Sequence, residues 1–348
     1  MKGCRYAARM ASNGDRTVTM ADIARKAGVS MATASRALGS SRDVSEATRE
    51  RVRRIAAQLE YVVSPEASGL ARRTTDRVGV VAAHLSRWFY GAILEGIESQ
   101  LRGGGLDTTV YVVGDAEERR RFFAELPARR KVDAIIVVGM PVSEPERERL
   151  AVMDVAVVAA GGQVAEYPFV SIDDEGAGRQ AMDHLLRLGH RRIAMIDAID
   201  PNAAEWPVEL RSKSYVDSLA DAGLELDDQL FVRVPWGPEG GSLGMERLLS
   251  LRTPPSAVFV HSDEMAFGAL RTLRRAGLQA PRDISVVSID DHPLAEQLDL
   301  TTVHQDPRAQ GVLAARAVQQ LLAGGEPERA QLLPTRLVPR QSTAPFTP

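Results

Sequence analysis

The chain has 348 residues, 44% of them hydrophobic and 26% charged, a composition of folded globular domains rather than disordered ones. It holds one cysteine, Cys4, which excludes an internal disulfide framework and a thiolate metal site. Apolar runs such as Ala134–Val138 and Val155–Ala160 fall far short of the ~20 residues that cross a bilayer, and the N-terminus lacks the apolar core of a secretory signal. A cytoplasmic protein with no membrane partner is expected.

The net charge of −3 conceals a division. Residues 1–76 carry 14 Lys and Arg against 8 Asp and Glu, whereas residues 77–348 carry 29 against 38. A basic head on a larger acidic body suggests two jobs on one chain. Residues 1–17 show no pattern and are expected to be a disordered extension.

In residues 18–62 the spacing predicts three helices. Thr19-Met20-Ala21-Asp22 has the form of a capping box, so a helix starts at Met20. Ile23, Ala24 and Ala27 follow at helical spacing, and Gly28 supplies the left-handed residue that ends it. Ser30 caps a second helix, Met31 to about Leu38, with Ala34, Ala37 and Leu38 inward. Ser45 caps a third, with Val52, Ile55, Ala56 and Leu59 on one face. Two short helices joined by a Gly-containing turn and braced by a third form a helix-turn-helix. Such a unit inserts the start of its second helix into the major groove of DNA. Thr19, Ser30, Met31, Ala32, Thr33, Ser35 and Arg36 are therefore the candidate DNA-binding residues. Arg36 suits a bidentate pair with guanine, Met31 and Ala32 suit apolar contacts, and the hydroxyls of Thr33 and Ser35 suit phosphate.

The ungapped string Val18-Thr19-Met20-Ala21-Asp22-Ile23-Ala24-Arg25-Lys26-Ala27-Gly28-Val29-Ser30-Met31-Ala32-Thr33-Ala34-Ser35-Arg36-Ala37-Leu38 closely resembles the head of LacI/GalR-family bacterial transcription regulators. Val44-Ser45-x-x-Thr48-Arg49 and Leu59-Glu60-Tyr61 continue the likeness. The resemblance implies a homodimer on a pseudo-palindromic double-stranded operator. It also implies that residues 63–76 form a hinge helix, in which Leu70 takes the place of the leucine that wedges into the minor groove. This chain departs from the family there. Val63-Ser64 replaces a usual Pro-Asn, Ser68 a basic or amide residue, and Glu66 adds a negative charge.

Beyond the hinge, β-rich runs begin near Val78, Val110, Ala134 and Val155, and again near Ile193, Phe231, Ala257 and Val286, with helix-length segments between most of them. The alternation predicts two parallel-sheet lobes covered by helices, changing over near Val170–Asp174. Ligands of such sheets sit beyond the carboxyl ends of strands, here in the cleft between the lobes. The strands are followed there by Arg87-Trp88-Phe89, Gly161-Gly162, Asp197, Trp236, His261-Ser262-Asp263 and Asp290-Asp291. Aromatic faces with a few fixed polar groups suit a polar ring such as a sugar.

His184-Leu185-x-x-Leu188-Gly189-His190-Arg191-Arg192-Ile193-Ala194, Ser262-Asp263-Glu264-Met265-Ala266-x-Gly268, Asp283-Ile284-Ser285-Val286-Val287-Ser288-Ile289-Asp290-Asp291 and Leu300-Thr301-Thr302-Val303-x-Gln305 resemble the family's effector domain, itself similar to periplasmic sugar-binding proteins. The resemblance implies an α/β effector domain of two parallel-sheet lobes, residues 77–172 with 304–333 and residues 173–303 with 334–348. It implies that Arg211, Trp236 and Asp290 contact a carbohydrate-like effector, with Arg87, Trp88, Phe89 and Ser262 beside them. Ser262 stands where many members have Asn, Gly161 where some sugar responders have Asp, and Arg87-Trp88 where Asn-Pro is common. Arg87 and Arg211 together would suit an acidic sugar.

Blander readings compete. Arg211 pairs with Glu209 or Asp217 at the surface, Trp236 is a core or interface residue, Asp290 and Asp263 cap helices, and His184 and His190 are structural. Two other functions compete as well: a cleft enzyme using Asp263 and Asp290 as acid and base, or a sugar-binding protein that ignores DNA. No P-loop, nucleotide-binding glycine fingerprint, Gly-x-Ser-x-Gly elbow or metal motif is present. No cofactor and no metal is expected, and the basic head argues for DNA.

Overall fold

The computed structural model of the chain describes residues 18–39, 43–61, 74–162, 166–199 and 210–347. It divides into two compact units at Thr75/Asp76. Leu70 and most of the expected hinge, with Val63, Ser64, Glu66 and Ser68, lie outside the described residues.

The first unit contains α1 (Met20–Ala27), α2 (Met31–Leu38) and α3 (Glu46–Gln58). The Thr19 hydroxyl accepts from the Asp22 N–H, and the Asp22 carboxylate accepts from the Thr19 N–H, closing the capping box. Gly28 ends α1 at φ +65°, a conformation that a residue with a Cβ resists. Ser30 and Ser45 cap α2 and α3 through the amides of Thr33 and Thr48. The core is Ile23, Ala24, Ala27, Ala34, Ala37, Val52 and Ala56. Five of the seven are alanines, so the three helix backbones approach closely.

The second unit holds two six-stranded sheets. The first is ordered β11 (Ala330–Leu333), β5 (Phe169–Ile172), β4 (Ala156–Ala160), β3 (Ala134–Val138), β1 (Arg77–Ala82), β2 (Asp107–Val112), and every pair is parallel. The second is ordered β12 (Arg336–Val338), β10 (Thr301–His304), β9 (Ser285–Asp290), β8 (Ala257–Val260), β6 (Ile193–Ile199), β7 (Phe231–Pro235). It is parallel except where β12 pairs antiparallel with β10. The β-rich runs account for four strands in each sheet. The two extra in each are β5 with β11, and β10 with β12. These have only three or four residues and lie where the chain passes between lobes, so they lack the strand–helix alternation that marks the others.

Helices cover both sheets. In the first lobe these are α4 (Trp88–Gly103), α5 (Ala116–Glu125), α6 (Glu144–Ala151) and α12 (Pro307–Leu322). In the second they are α7 (Asp174–Arg187), α8 (Leu210–Asp221), α9 (Pro238–Leu249), α10 (Asp263–Arg275) and α11 (Pro293–Gln297). The central strands are apolar throughout, as strands buried on both faces require; β3 reads Ala-Ile-Ile-Val-Val with every residue buried. Helix α12 follows the crossover from β10 and packs on α4. Gly96 and Gly311 allow this, because a Cβ on either would lie 2.1 Å from a backbone oxygen of the opposite helix.

Candidate DNA-reading surface and ligand cleft

On the helix-turn-helix unit, Ser30, Met31, Ala32, Ser35 and Arg36 are exposed, Met31 to 60%. Ser30 and Thr33 are already engaged: their hydroxyls bond each other at 2.8 Å, and Ser30 Oγ accepts from the Thr33 N–H. Thr33 is half-buried. Arg36 lies along its own helix and donates through Nε to the Ala32 carbonyl at 3.2 Å. Thr19 is an exposed N-cap residue.

In the second unit, the carboxyl ends of the strands bring together residues remote in sequence. Asp290, the last residue of β9, is 4% exposed and stands at φ +134°, a strained backbone for any residue but glycine. Its Oδ1 accepts from Gln305 Nε2 at 2.7 Å, and Arg211 Nη1 stands 4.0 Å away. Burial pushes the Asp290 carboxyl above its ordinary range, against the charge of Arg211 and the Gln305 bond.

Arg211 does not make the competing surface pair with Asp217, and Glu209 lies outside the described residues. Arg211 Nε donates to Asp174 at 2.8 Å and Nη1 to the His261 carbonyl at 2.8 Å. Asp217 pairs instead with Lys213 and Arg179. The charge of Arg211 is thus met within the protein, which weakens the expectation of two cations waiting for an acidic sugar. His261 Nδ1 bonds the buried Asp197 at 3.2 Å, and Arg233 stands 3.4 Å from the other oxygen of that carboxylate. Burial would raise the Asp197 carboxyl, but the bond and charge of His261 outweigh it and hold it low.

Side chains at the start of α4 also reach from the first lobe to the second. The Arg87 guanidinium lies 4.3 Å from the ring centre of Trp236, a cation–π distance. The Trp88 ring is 5.0 Å from that of His292. The Trp88 backbone lies close enough to Glu264 to favour its ionised carboxylate. Trp236 is half-buried between Arg87 and His261, whose ring centre is 6.5 Å away. It therefore stands between the lobes and is not a core residue.

Ser262 caps α10 and is fully buried, yet its hydroxyl has no partner among the described residues. Phe89 faces inward: a Cβ on Gly161 would meet its ring at 2.7 Å and Ile93 at the same distance. Gly161 itself sits at φ +69°. An Asp there would collide with this Phe89.

Asp263 does not serve the cleft. It is fully buried and accepts from Ser288 Oγ at 2.5 Å, Thr302 Oγ1 at 2.7 Å and the His292 N–H at 2.8 Å. It is not the helix cap; it ties β9, β10 and α11 to the start of α10. His190 is likewise structural, bonded to Ser256, Ser285 and the Ala344 carbonyl. Sequence reasoning did not reach the fastening roles of Asp174 and Gln310. Gln305 was visible only as part of a family likeness.

A helix-turn-helix unit on the same chain as a two-lobed parallel α/β domain defines a DNA-binding transcription regulator. The family "Bacterial regulatory proteins, lacI family" matches residues 19–64, and a periplasmic binding protein-like domain matches residues 182–343. The transcriptional repressor CytR of Escherichia coli K12 is 32% identical over 300 residues, covering 85% of this chain and 87% of CytR. The regulator CelR of Thermobifida fusca is 32% identical over 339 residues, covering 94% and 98%. Among solved structures, the lac repressor dimer bound to operator and the anti-inducer ONPF superposes with a TM-score of 0.82 at 27% identity, covering 94% of this chain and 100% of that one. A CelR–cellobiose complex superposes at 0.68 and 30% identity, covering 93% and 99%. The chain belongs to the LacI family of bacterial regulatory proteins. Among the described residues no helix is long and apolar enough to cross a membrane.

Proposed function

We propose that the protein is a repressor that binds a pseudo-palindromic operator as a homodimer in the cytoplasm, and that a small polar effector in the interlobe cleft, a sugar or sugar derivative, sets its operator affinity. Arg36, Met31, Ala32 and Ser35 read the DNA, with Ser30, Thr33 and Thr19 ordering the start of each helix beside the phosphates. Arg211, Trp236, Asp290 and Ser262 on one lobe, and Arg87, Trp88 and Phe89 on the other, line the effector site. The division into head, hinge and two lobes follows the boundaries set out above, with Leu70 as the hinge wedge.

One observation carries the reading. Asp290 is held in a strained backbone with its carboxylate fixed by Gln305 beside Arg211, at the strand ends where parallel sheets bind ligands. The unpartnered Ser262 hydroxyl and the Trp236 wall add a polar group and an apolar ring face. The relative CelR, solved with cellobiose, supports a carbohydrate. An effector acts only by favouring one lobe arrangement over another, and the contacts of Arg87 and Trp88 across the cleft are the ones such a movement changes.

The test is a thermal-shift screen of the full chain against monosaccharides, disaccharides including cellobiose, sugar acids and nucleosides. A ligand at about 100 times its Kd adds about 2.7 kcal/mol. A sugar that raises the midpoint and changes operator affinity is the expected result. In Asp290→Asn that response disappears while operator binding without ligand stays. A normal response in Asp290→Asn removes Asp290 from the site, and a hit confined to nucleosides replaces the carbohydrate reading.

A further inference from the structure

Asp290 is the end of a chain. Its Oδ1 accepts from Gln305 Nε2 at 2.7 Å, and Gln305 Oε1 accepts from Gln310 Nε2 at 2.9 Å. The three residues are 4%, 3% and 0% exposed. They belong to different parts of the fold. Asp290 ends β9 in the second lobe, Gln305 lies in the crossover after β10, and Gln310 is on α12, which packs on α4 of the first lobe. The last atom of the chain, Gln310 Oε1, is buried without a partner among the described residues.

The chain has a direction. An ionised carboxylate can only accept hydrogen bonds. Asp290 Oδ1 stands as the acceptor and takes the NH2 of Gln305, which turns the Gln305 carbonyl toward residue 310. That buried carbonyl requires a donor in turn, so Gln310 presents its NH2 and leaves its own carbonyl outermost. The acceptor at position 290 dictates the amide orientation two links away, and the unpartnered Gln310 oxygen is the cost of it. A non-directional packing role would not leave a fully buried amide oxygen unsatisfied at one end only.

We infer that Gln305 and Gln310 are positioning residues for the carboxylate of Asp290, joined to it as a one-way hydrogen-bond chain that carries its state across the lobe crossover to α12. The inference rests on the reading of Asp290 as the effector's partner for its functional meaning, but not for its geometry. A ligand that bonds or reorients the carboxylate alters what Gln305 must present, and α12 receives the change through Gln310. Charged and titratable groups surround both ends. Arg211, His261, Asp174 and Asp263 act on Asp290. Near the other end, Arg308 of α12 stands 3.9 Å from Glu95 of α4, both exposed, and Asp306 caps α12.

The test uses Gln310→Glu in the full chain, with thermal midpoints measured from about pH 5 to about pH 8.5, a range that spans the titration of a buried carboxyl. Protonated, the new side chain can still donate to Gln305; ionised, it only accepts, and two acceptors face each other. Its midpoint should match the parent's at the acid end and fall about 5 °C or more below it at the alkaline end. Gln310→Leu, which cannot titrate, should sit below the parent by a similar amount at both. The decisive arm is Gln310→Glu combined with Asp290→Asn. An amide at 290 can donate, so Gln305 can turn over and offer its NH2 to the carboxylate at 310. The alkaline loss should then vanish relative to Asp290→Asn alone. A loss that persists in that background, a Gln310→Glu curve parallel to that of Gln310→Leu, or failure of Gln310→Glu to fold at acid pH where Gln310→Leu folds, overturns the inference. A screen that finds no cleft ligand leaves all these curves as they are, so failure of the functional reading and failure of the chain are told apart.

Discussion

The head and the second lobe are held by interactions of different reach. In the helix-turn-helix unit, every helix start is fastened by a residue three positions away: Thr19 with Asp22, Ser30 with Thr33, Ser45 with Thr48. In the second lobe the fastening bonds span whole strand–helix units. Asp263 reaches Ser288 and Thr302, 25 and 39 residues on, and Arg211 reaches Asp174 and His261, 37 and 50 residues away. A function carried by a local unit is written in one string of residues. A cleft is written in residue types whose meaning depends on where the strands end.

The largest test of this contrast is Asp263→Ala. It strands two buried hydroxyls and one backbone N–H without their acceptor, and it unties β9 and β10 from α10. The expected loss is about 3–5 kcal/mol in chemical denaturation, with hydrogen exchange in α1–α3 unchanged. A loss that spreads to the head would dissolve the distinction. A pH effect accompanies it. Burial first, and the Asp290 charge second, raise the Asp263 carboxyl. Above the ordinary carboxylate range the folded chain therefore binds more protons here than the unfolded chain, and this site's contribution to stability, full at low pH, declines as pH rises toward the raised value. Asp263→Asn should flatten that decline relative to the parent; an unchanged slope would assign it elsewhere.

The same contrast explains what could be read in advance. The head was legible down to its caps, because cap, helix and turn are neighbours in sequence. Both sheets were legible as alternating β-rich runs, but β5, β10, β11 and β12 were not, since three or four residues at a crossover carry no periodicity. In the cleft, the positions after the strands pointed to Asp290, Trp236 and Arg211. Their partners did not follow. Asp174 looks like any first-turn acid of a helix, and Gln310 like any polar helix residue. Asp263 and Asp290 follow adjacent strands of one sheet, and only the family likeness set Asp290 apart as an effector contact. The hydrogen bonds separate a carboxylate saturated by three donors from one fixed through a single oxygen.

Arg36→Ala is expected next in size. The side chain bonds its own helix through Ala32 and holds no other element among the described residues, so stability should scarcely change. Sequence discrimination on DNA should fall by about 1–3 kcal/mol, measured by fluorescence anisotropy against a selected and a scrambled duplex at one fixed salt concentration. Equal weakening on both duplexes would make Arg36 a phosphate contact. The head would still be the DNA-binding unit, but its specificity would no longer be readable from the exposed start of α2.

The smallest effect is the sharpest check on locality. Thr19→Ala removes the hydroxyl that accepts from the Asp22 N–H and bonds the Asp22 carboxylate at 2.7 Å. The reciprocal half survives, because Asp22 still accepts from the backbone N–H of residue 19. An N-cap loss of about 0.5–2 kcal/mol is the ordinary range, and half a capping box places this one near the lower end. Thr19→Ser restores the oxygen and should recover most of the loss, since its hydroxyl can make both bonds. Hydrogen exchange would show faster opening of the first turn of α1, with the effector domain unaffected. If the serine variant failed to recover, the threonine methyl rather than the hydroxyl would be what orders α1, and the head would depend on packing as the second lobe does.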